Sequence, residues 1–99
     1  MSKSFKDIIN QDKPVLVDFF ATWCGPCQMQ GPILGKVKDI VGESADIIKI
    51  DIDKNNALGV QYAIRSIPTL VLFKNGKVLW RKSGVGQQEE LTALINQHI

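Results

Sequence analysis

The segment VLVDFFATWCGPC occupies residues 15–27 and joins a strand pattern to a pair of cysteines. Its first six residues are apolar on both alternating faces except for Asp18, a pattern typical of a central strand covered on both sides. A lone carboxyl group at such a position is unusual, because burial penalises its charged form and raises its pKa. The segment therefore predicts a buried strand that leads directly to Cys24 and Cys27.

The cysteine pair begins a second predicted element. From Cys24 to about Val41 the apolar residues recur with helical spacing, and Gly42 follows where a glycine commonly ends a helix. Pro32 lies inside this helix, where a proline removes one backbone hydrogen bond and is expected to bend the axis. The sequence thus predicts a long helix that starts at the cysteines.

Shorter elements complete the chain. Apolar residues at helical spacing, with Ser4 as an N-cap, predict a helix before the first strand, and Asp53 is placed to cap another helix. Alternating and β-branched apolar runs predict three further strands. In order, the predicted elements are helix 4–10, strand 15–20, helix 24–41, strand 47–52, helix 54–62, strand 69–73, strand 77–82 and helix 89–99.

The order of these elements predicts a mixed sheet. Strand–helix–strand connections give parallel neighbours, whereas the Asn75-Gly76 pair favours a two-residue hairpin between antiparallel strands. We therefore expect an α/β fold with helices on both faces of the sheet. In such sheets, chemistry gathers beyond the carboxyl ends of the strands, which is where this topology places residues 21–27.

Length and composition limit the functional classes. Ninety-nine residues, of which 44% are hydrophobic and 22% charged, predict a single globular domain over residues 1–99. A net charge of +2 is small for a nucleic-acid-binding domain, and no apolar run approaches the ~18 residues of a membrane span. Residues 1–13 contain no apolar stretch typical of a secretory signal. We expect a cytoplasmic monomer that has neither nucleic acid nor a membrane as a partner.

Three interpretations of the C-x-x-C pair compete with a redox role. A zinc site needs four ligands, but the chain has two cysteines and one histidine, His98, so a metal would have to bridge two chains. A structural disulfide stabilises mainly by closing a long loop, and this pair closes a very short one. Two inert core thiols would not call for Gly25 and Pro26 between them. We therefore expect no bound metal.

A redox-active pair explains both the spacing and the position. Unsatisfied N–H groups at a helix N-terminus carry partial positive charge, which stabilises a thiolate on Cys24. Cys27 lies one turn later on the same helical face, close enough to attack a mixed disulfide formed by Cys24. Gly25 allows close approach by a substrate, and Pro26 suits the first turn of a helix. The pattern predicts Cys24 as the attacking thiolate and Cys27 as the resolving thiol.

Asp18 and Lys49 are candidates for assisting these thiols. A buried carboxyl group that titrates near neutral pH could accept or donate the proton of Cys27. The alternative is that Asp18 is a buried polar residue held by hydrogen bonds. Lys49 lies in an isoleucine-rich strand, from which it could face Asp18, share its charge and tune the redox couple. Its alternative is an exposed face of an edge strand.

Several motifs occur together along this chain: VDFFATWCGPC at 17–27, Pro32, KID at 49–51, RSIPTL at 65–70, FKNG at 73–76 and Gly84. The combination of WCGPC with a later IPT is highly specific. Together the motifs resemble the thioredoxin family over nearly the whole chain. The resemblance implies a three-layer thioredoxin-like fold with a mixed sheet of four strands, because the first strand of the family is missing or reduced to residues 1–3.

The resemblance implies a general protein disulfide reductase, an enzyme that carries electrons to disulfide-containing client proteins. It implies that Cys24 and Cys27 form the redox-active disulfide and that Asp18 assists deprotonation of Cys27. It also implies that Gly25 and Pro26 tune the redox potential. No cofactor would be bound, and electrons would come from NADPH through a separate flavin-dependent thioredoxin reductase.

A substrate surface is also implied by the resemblance. Sequence alone gives an X-Pro bond only ~5% odds of being cis, whereas the resemblance implies a cis Ile67–Pro68 bond that contacts the active site and keeps metal from the thiols. Trp23, Ile67, Pro68, Thr69 and Gly84 would form the rim on which a substrate peptide lies. Backbone pairing near Ile67 would explain broad specificity. A non-catalytic module that holds partners on this surface and a metal-bridged dimer are the alternative hypotheses.

Overall fold

The computed structural model describes residues 4–99, in which a four-stranded sheet lies between two layers of helices. The helices and strands occur in the predicted order. Among the described residues, none of the helices combines the length and hydropathy that a bilayer crossing requires. The elements are α1 (Phe5–Ile9), β1 (Val15–Phe20), α2 (Gly25–Val41), a 3₁₀ turn (Gly42–Ser44), β2 (Asp46–Asp51), α3 (Asn56–Gln61), β3 (Thr69–Lys74), β4 (Lys77–Ser83) and α4 (Gln88–Asn96).

The strands are ordered β2–β1–β3–β4 across the sheet. β1 is parallel to β2 and antiparallel to β3, and β3 and β4 form an antiparallel hairpin. Asn75 and Gly76 connect that hairpin with φ angles of 53° and 77°, the left-handed backbone that a tight hairpin turn requires. The predicted mixed α/β sheet of four strands is confirmed. The expected remnant of an earlier strand, residues 1–3, lies outside the described residues.

Each face of the sheet is covered by two helices. α2 and α4 pack on one face over Leu16, Leu70 and Leu72, which are fully buried. α1 and α3 cover the other face, where the rings of Phe19 and Phe73 belong to an aromatic cluster. Because β1 contributes side chains to both cores, its position is determined from both sides.

Two helices end before their predicted boundaries. α1 ends at Ile9, and the Gln11 amide just beyond it donates to the carbonyl of Ile8 at 2.6 Å and to a carboxylate oxygen of Asp46 at 2.9 Å. α4 ends at Asn96, and the Lys74 ammonium of β3 donates to the carbonyl of His98 at 2.6 Å. The contacts with Asp46 and Lys74 join parts of the chain that are far apart in the sequence.

α3 ends at a left-handed residue that is not glycine. Ala63 has a φ of 53°. The N–H of Ile64 donates to the carbonyl of Gly59 at 2.8 Å, and the N–H of Ala63 donates to that of Val60 at 3.1 Å, which is the bond pair of a Schellman motif. The Arg81 guanidinium of β4 donates to the Ala63 carbonyl at 2.6 Å and to the carbonyl before it. This turn leads into the loop before β3.

Ala63→Gly is expected to stabilise the protein. The left-handed conformation costs an L-residue about 1–2 kcal/mol, whereas glycine adopts it freely but loses more entropy on folding. We expect the free energy of unfolding to rise by roughly 0.5–1 kcal/mol, measured by urea unfolding of the disulfide form. The matched control is Ala93→Gly, an exposed position inside α4, where we expect a loss of about 1 kcal/mol. Equal changes in the two variants would contradict the argument.

Candidate active site

The turn after β1 delivers the cysteine pair to the start of α2. Cys24 is the N-cap of this helix, one position before its first helical residue, with an extended backbone (φ −89°, ψ 115°). Cys24 and Cys27 are bonded as a disulfide and are only 5% and 3% exposed. The N–H of Cys27 donates to the Sγ of Cys24 at 3.2 Å, and the first turn of α2 contains no acidic residue. The helix N-terminus therefore stabilises negative charge on Cys24 once the disulfide is reduced.

The loop before β3 packs against this disulfide. The Ile67–Pro68 peptide bond is cis, which confirms the expectation from the family resemblance. The Sγ of Cys24 lies 3.8 Å from the carbonyl oxygen of Ile67, whose side chain packs against the cluster that contains both cysteines. The Pro68 carbonyl accepts a hydrogen bond from the N–H of Gly84 at 2.8 Å. The loop before β3 therefore contacts the cysteine pair on one side and is bonded to the segment after β4 on the other.

The residues predicted to form the substrate rim differ in exposure. Trp23 is 70% exposed, and Ile67 and Gly84 are partly exposed, Gly84 with a φ of 94°. Pro68 and Thr69 are buried, and the Thr69 hydroxyl donates to a carbonyl oxygen of its own loop at 2.6 Å. The surface open to a partner is therefore made by Trp23, Ile67 and Gly84. Pro68 and Thr69 lie beneath it and support the loop.

Asp53 has a different role from the predicted helix cap. α3 begins at Asn56, with Asn55 as its N-cap and no side-chain capping bond. The indole Nε1 of Trp23 instead donates to Oδ2 of Asp53 at 2.8 Å. The N–H of Asp53 donates to Oδ1 of Asp51 at 2.9 Å, which orients the backbone here. The Asp53 carboxylate therefore holds the exposed indole beside the disulfide, and the capping prediction was wrong.

Asp18 is a buried carboxyl group with no hydrogen-bond partner among the described residues. It is 0% exposed in β1, and neither of its carboxylate oxygens is bonded. Burial raises its pKa from 3.8 to about 6, and the positive charge of Lys49 opposes part of this rise. The alternative of an Asp18 held by protein hydrogen bonds does not describe this structure. In particular, no hydrogen bond joins Asp18 to Cys27.

Lys49 faces Asp18, as predicted. The two residues are register partners in the parallel pair of β1 and β2, so their side chains lie on the same face of the sheet. The Lys49 side chain is exposed, and its ammonium lies 4.6 Å from the centroid of the Phe20 ring, a cation–π distance. Both interpretations of Lys49 therefore apply, since β2 is an edge of the described sheet and the lysine charge still acts on Asp18.

Gly25 and Pro26 leave one side of the disulfide open. Both are exposed in the first turn of α2, and a Cβ added to Gly25 would meet no atom within 4 Å. Pro26 is tolerated there because its missing N–H has no intrahelical partner to lose. Packing within the chain does not require the glycine, whose small size leaves room for an approaching molecule. The influence of both residues on the redox potential stays a prediction.

A metal centre built from one chain would need three or four ligands. Within residues 4–99, no group of three or more His, Cys, Asp or Glu side chains is placed to hold a metal ion. The ring of His98 lies against α4, with Nδ1 at 3.0 Å from the carbonyl oxygen of Leu94. A metal site at the cysteines would therefore need ligands from a second chain.

Two residues near the disulfide were not singled out from the sequence. Ile52 packs against the cluster that contains both cysteines. Gln30 is 0% exposed in α2, and its amide forms two hydrogen bonds with the backbone of Gly86. The available signal was helical spacing, because Gln30 falls on the same face of α2 as the buried residues Cys27 and Leu34. Because the other buried residues on that face are apolar or cysteine, a glutamine there indicates a specific hydrogen-bonding partner.

Comparisons with known proteins agree on one family. The family model described as thioredoxin matches residues 1–97. A thioredoxin-like protein of Synechocystis sp. is 54% identical over 79 residues, covering 80% of this chain and 75% of that protein. The thioredoxin of Haemophilus influenzae is 42% identical over 92 residues, covering 93% and 86% of the two chains. The crystal structure of a Malassezia sympodialis thioredoxin has a TM-score of 0.85 at 40% identity, covering 95% of this chain and 82% of that one.

Asp18→Asn is expected to change how stability depends on pH. The raised pKa means that Asp18 holds its proton more tightly in the folded than in the unfolded protein, so its ionisation destabilises the fold. The free energy of unfolding should fall by about 3 kcal/mol as pH rises from about 4 to about 6, and stay lower above that range. The asparagine variant should lack this loss and be the more stable protein at neutral pH. Urea unfolding across this pH range compares the two.

Asp39→Asn is the matched control, because Asp39 is exposed on the same side of the sheet, in α2. This variant should keep the wild-type loss of stability with rising pH. Burial raises the pKa of Asp46, but Gln11, Lys13 and Lys38 together lower it below its usual value, so Asp46 contributes a pH dependence of the opposite sign that is present in all three proteins. An Asp18→Asn variant with the same pH profile as the wild type would show that the buried carboxyl group does not destabilise the fold.

Proposed function

The chain belongs to the thioredoxin family and is a dithiol–disulfide oxidoreductase, and from this premise we propose that it reduces disulfides in a broad range of other proteins. In this proposal Cys24 is the attacking thiolate, Cys27 is the resolving thiol and Asp18 exchanges the proton. The observation that supports the assignment best is the position of Cys24 as the N-cap of α2, with its sulfur 3.8 Å from the Ile67 carbonyl at the rim.

In the first step, the Cys24 thiolate attacks one sulfur of a client disulfide. A bond forms between Cys24 Sγ and that sulfur, the client S–S bond breaks, and the other client sulfur leaves as a thiolate. The N–H of Cys27, 3.2 Å from the Cys24 sulfur, supports the attacking thiolate together with the partial positive charge of the helix N-terminus.

In the second step, the Cys27 thiolate attacks the Cys24 sulfur. The Cys24–Cys27 disulfide forms, the second client sulfur leaves, and two electrons have passed from the dithiol to the client. Cys27 must first lose its proton. Asp18, with a pKa of about 6, is mostly ionised at neutral pH and can accept that proton through a water. The positive charge of Lys49 on the same face favours the ionised form of Asp18.

The client chain lies across the surface formed by Trp23, Ile67 and Gly84. The Trp23 indole offers a large apolar face, held in place by its hydrogen bond to Asp53. Backbone hydrogen bonds between the client and the Ile67 region are independent of the client's side chains. This mode of binding accounts for a reductase that accepts many proteins.

Each further turnover requires the disulfide to be reduced again. We propose that NADPH supplies the electrons through a separate flavin-dependent thioredoxin reductase. Gly84 and Gly86 do not form a dinucleotide-binding motif, because Glu89 stands where the third glycine would be, and we therefore place the nicotinamide and the flavin on the separate reductase. We also propose that the protein is a monomer and that it acts in a reducing compartment such as the cytoplasm, where the released client thiols stay reduced.

Cys27→Ser is expected to trap client proteins. Without the resolving thiol, the mixed disulfide between Cys24 and the client persists. Covalent complexes therefore accumulate, and dithiothreitol separates them by reducing the disulfide. Non-reducing gel electrophoresis of the variant after incubation with a cell extract measures them. The wild type should reduce insulin when supplied with NADPH and a thioredoxin reductase.

Cys24→Ser is the control for trapping, because it retains one thiol but lacks the attacking one. We expect it to trap far fewer proteins. Equal trapping by both variants would contradict the assigned roles of the two cysteines. No trapping by Cys27→Ser, together with a wild type that does not reduce insulin, would overturn the proposed reductase and favour a non-catalytic binding module.

Asp18→Asn is expected to slow turnover at neutral pH by roughly 10- to 100-fold, because Cys27 then loses its proton to solvent without a positioned base. The rate of mixed-disulfide resolution, measured by stopped-flow against pH, reports this step. The wild-type rate should rise as pH passes about 6, and the variant should lack that rise. Asp39→Asn should behave like the wild type. Unchanged turnover in Asp18→Asn would reduce Asp18 to a structural residue.

A further inference from the structure

Gln30 is a polar side chain buried between α2 and the segment before α4. It is 0% exposed, on a face of α2 otherwise made by apolar residues and Cys27. Its Nε2 donates to the carbonyl of Gly86 at 3.0 Å, and its Oε1 accepts from the N–H of Gly86 at 2.7 Å. One side chain therefore satisfies both backbone groups of a residue 56 positions away. We call this two-point contact the Gln30–Gly86 latch.

The latch lies in a tightly packed place. Gly86 is buried, and a Cβ added there would lie 2.7 Å from Cδ1 of Leu70 and 3.0 Å from Cδ2 of Leu91. Any side chain at this position would force those leucines to move. If Gln30 lost its amide, the N–H and the carbonyl of Gly86 would both lose their partner in a buried environment. The glycine backbone and the glutamine side chain therefore depend on each other.

The latch connects two parts of the active site. Gln30 follows Cys27 by one turn of α2. Gly86 closely follows Gly84, whose N–H donates to the Pro68 carbonyl at 2.8 Å. A short series of covalent and hydrogen-bonded links therefore runs from the resolving cysteine to the rim. The segment between β4 and α4 belongs to neither element, so contacts of this kind determine where it lies.

We propose that Gln30 is a positioning residue for client binding, which holds the Gly84 side of the rim at a set place relative to Cys24 and Cys27. This inference rests on the proposed function, because it takes the rim as the surface that clients contact. An apolar side chain of similar volume would fill the same space in the core, but it would leave both backbone groups of Gly86 without their partner. What the amide adds is a defined geometry for a segment outside the sheet and helices.

Gln30→Met tests the proposal. Methionine has a similar volume and can form neither bond of the latch. The reduced variant is assayed with insulin, whose disulfides must dock on the rim, and with 5,5′-dithiobis(2-nitrobenzoic acid), a small disulfide that needs only the thiolate. Because the Gly84 side of the rim is then no longer held in place, we expect the KM for insulin to rise about tenfold, with a smaller change in kcat. The rate with the small disulfide should stay within about twofold of the wild type.

Gln28→Met is the matched control, because it places the same substitution on an exposed position of the same helix. Gln28→Met should have the same kinetics as the wild type with insulin and with the small disulfide. If Gln30→Met alters the kinetics with both substrates equally, or with neither, the positioning role is overturned, because a residue that only packs the core would not distinguish insulin from the small disulfide. A wild type that does not reduce insulin overturns the proposed function and this inference with it. If the wild type reduces insulin and Gln30→Met has the same kinetics as the wild type with both substrates, this inference alone is overturned.

Two further measurements test the proposal if the Gln30→Met variant fails to fold. Gln30→Leu keeps a strong helix former at the position and should show the same discrimination between insulin and the small disulfide. Amide hydrogen exchange of the wild type needs no substitution, and the N–H of Gly86 should be strongly protected. Exchange of that N–H at the rate of an unprotected loop amide would overturn the inference.

Discussion

β1 is constrained on every side, and the active site depends on that constraint. β2 and β3 form hydrogen bonds to its two edges, while α2 and α4 on one face and α1 and α3 on the other bury its side chains. A strand held in this way has one position and one register. The turn that follows β1 therefore presents Cys24 at a fixed point, where the N-terminus of α2 meets the Ile67–Pro68 loop.

The burial that fixes β1 also imposes a cost on it. Asp18 is fully buried, forms no hydrogen bond with any of residues 4–99 and has its pKa raised to about 6, so its charged form opposes folding. An apolar residue would suit the core better. In the function that we propose, a carboxyl group with a raised pKa, on the strand that leads to the thiols, serves proton exchange instead. The conflict between packing and chemistry at one position is typical of functional sites, where stability is lowered for activity.

The rim shows how separate segments become one surface. Trp23 is held by a hydrogen bond to Asp53, Gly84 by its bond to the Pro68 carbonyl, and the segment after Gly84 by the Gln30 amide. Each bond joins a different pair of chain segments. The bond to Trp23 is exposed, whereas the two bonds of the Gln30 amide are buried. In the function that we propose, such support would limit the ordering cost of binding a flexible client chain.

Short-range patterns were sufficient for β1, for α2 with its cysteines at the N-terminus, and for the Asn75-Gly76 hairpin, because each depends on residues that are close in the chain. They failed for Asp53, which bonds an indole 30 positions away, and for Gln30, whose partner is 56 positions away. The family resemblance placed Thr69 on the exposed rim, whereas the structure buries it at the start of β3, the strand that the local pattern predicted. Backbone preference and hydrophobic spacing act over a few residues, whereas burial and long-range hydrogen bonds arise only when the elements pack together in the tertiary structure.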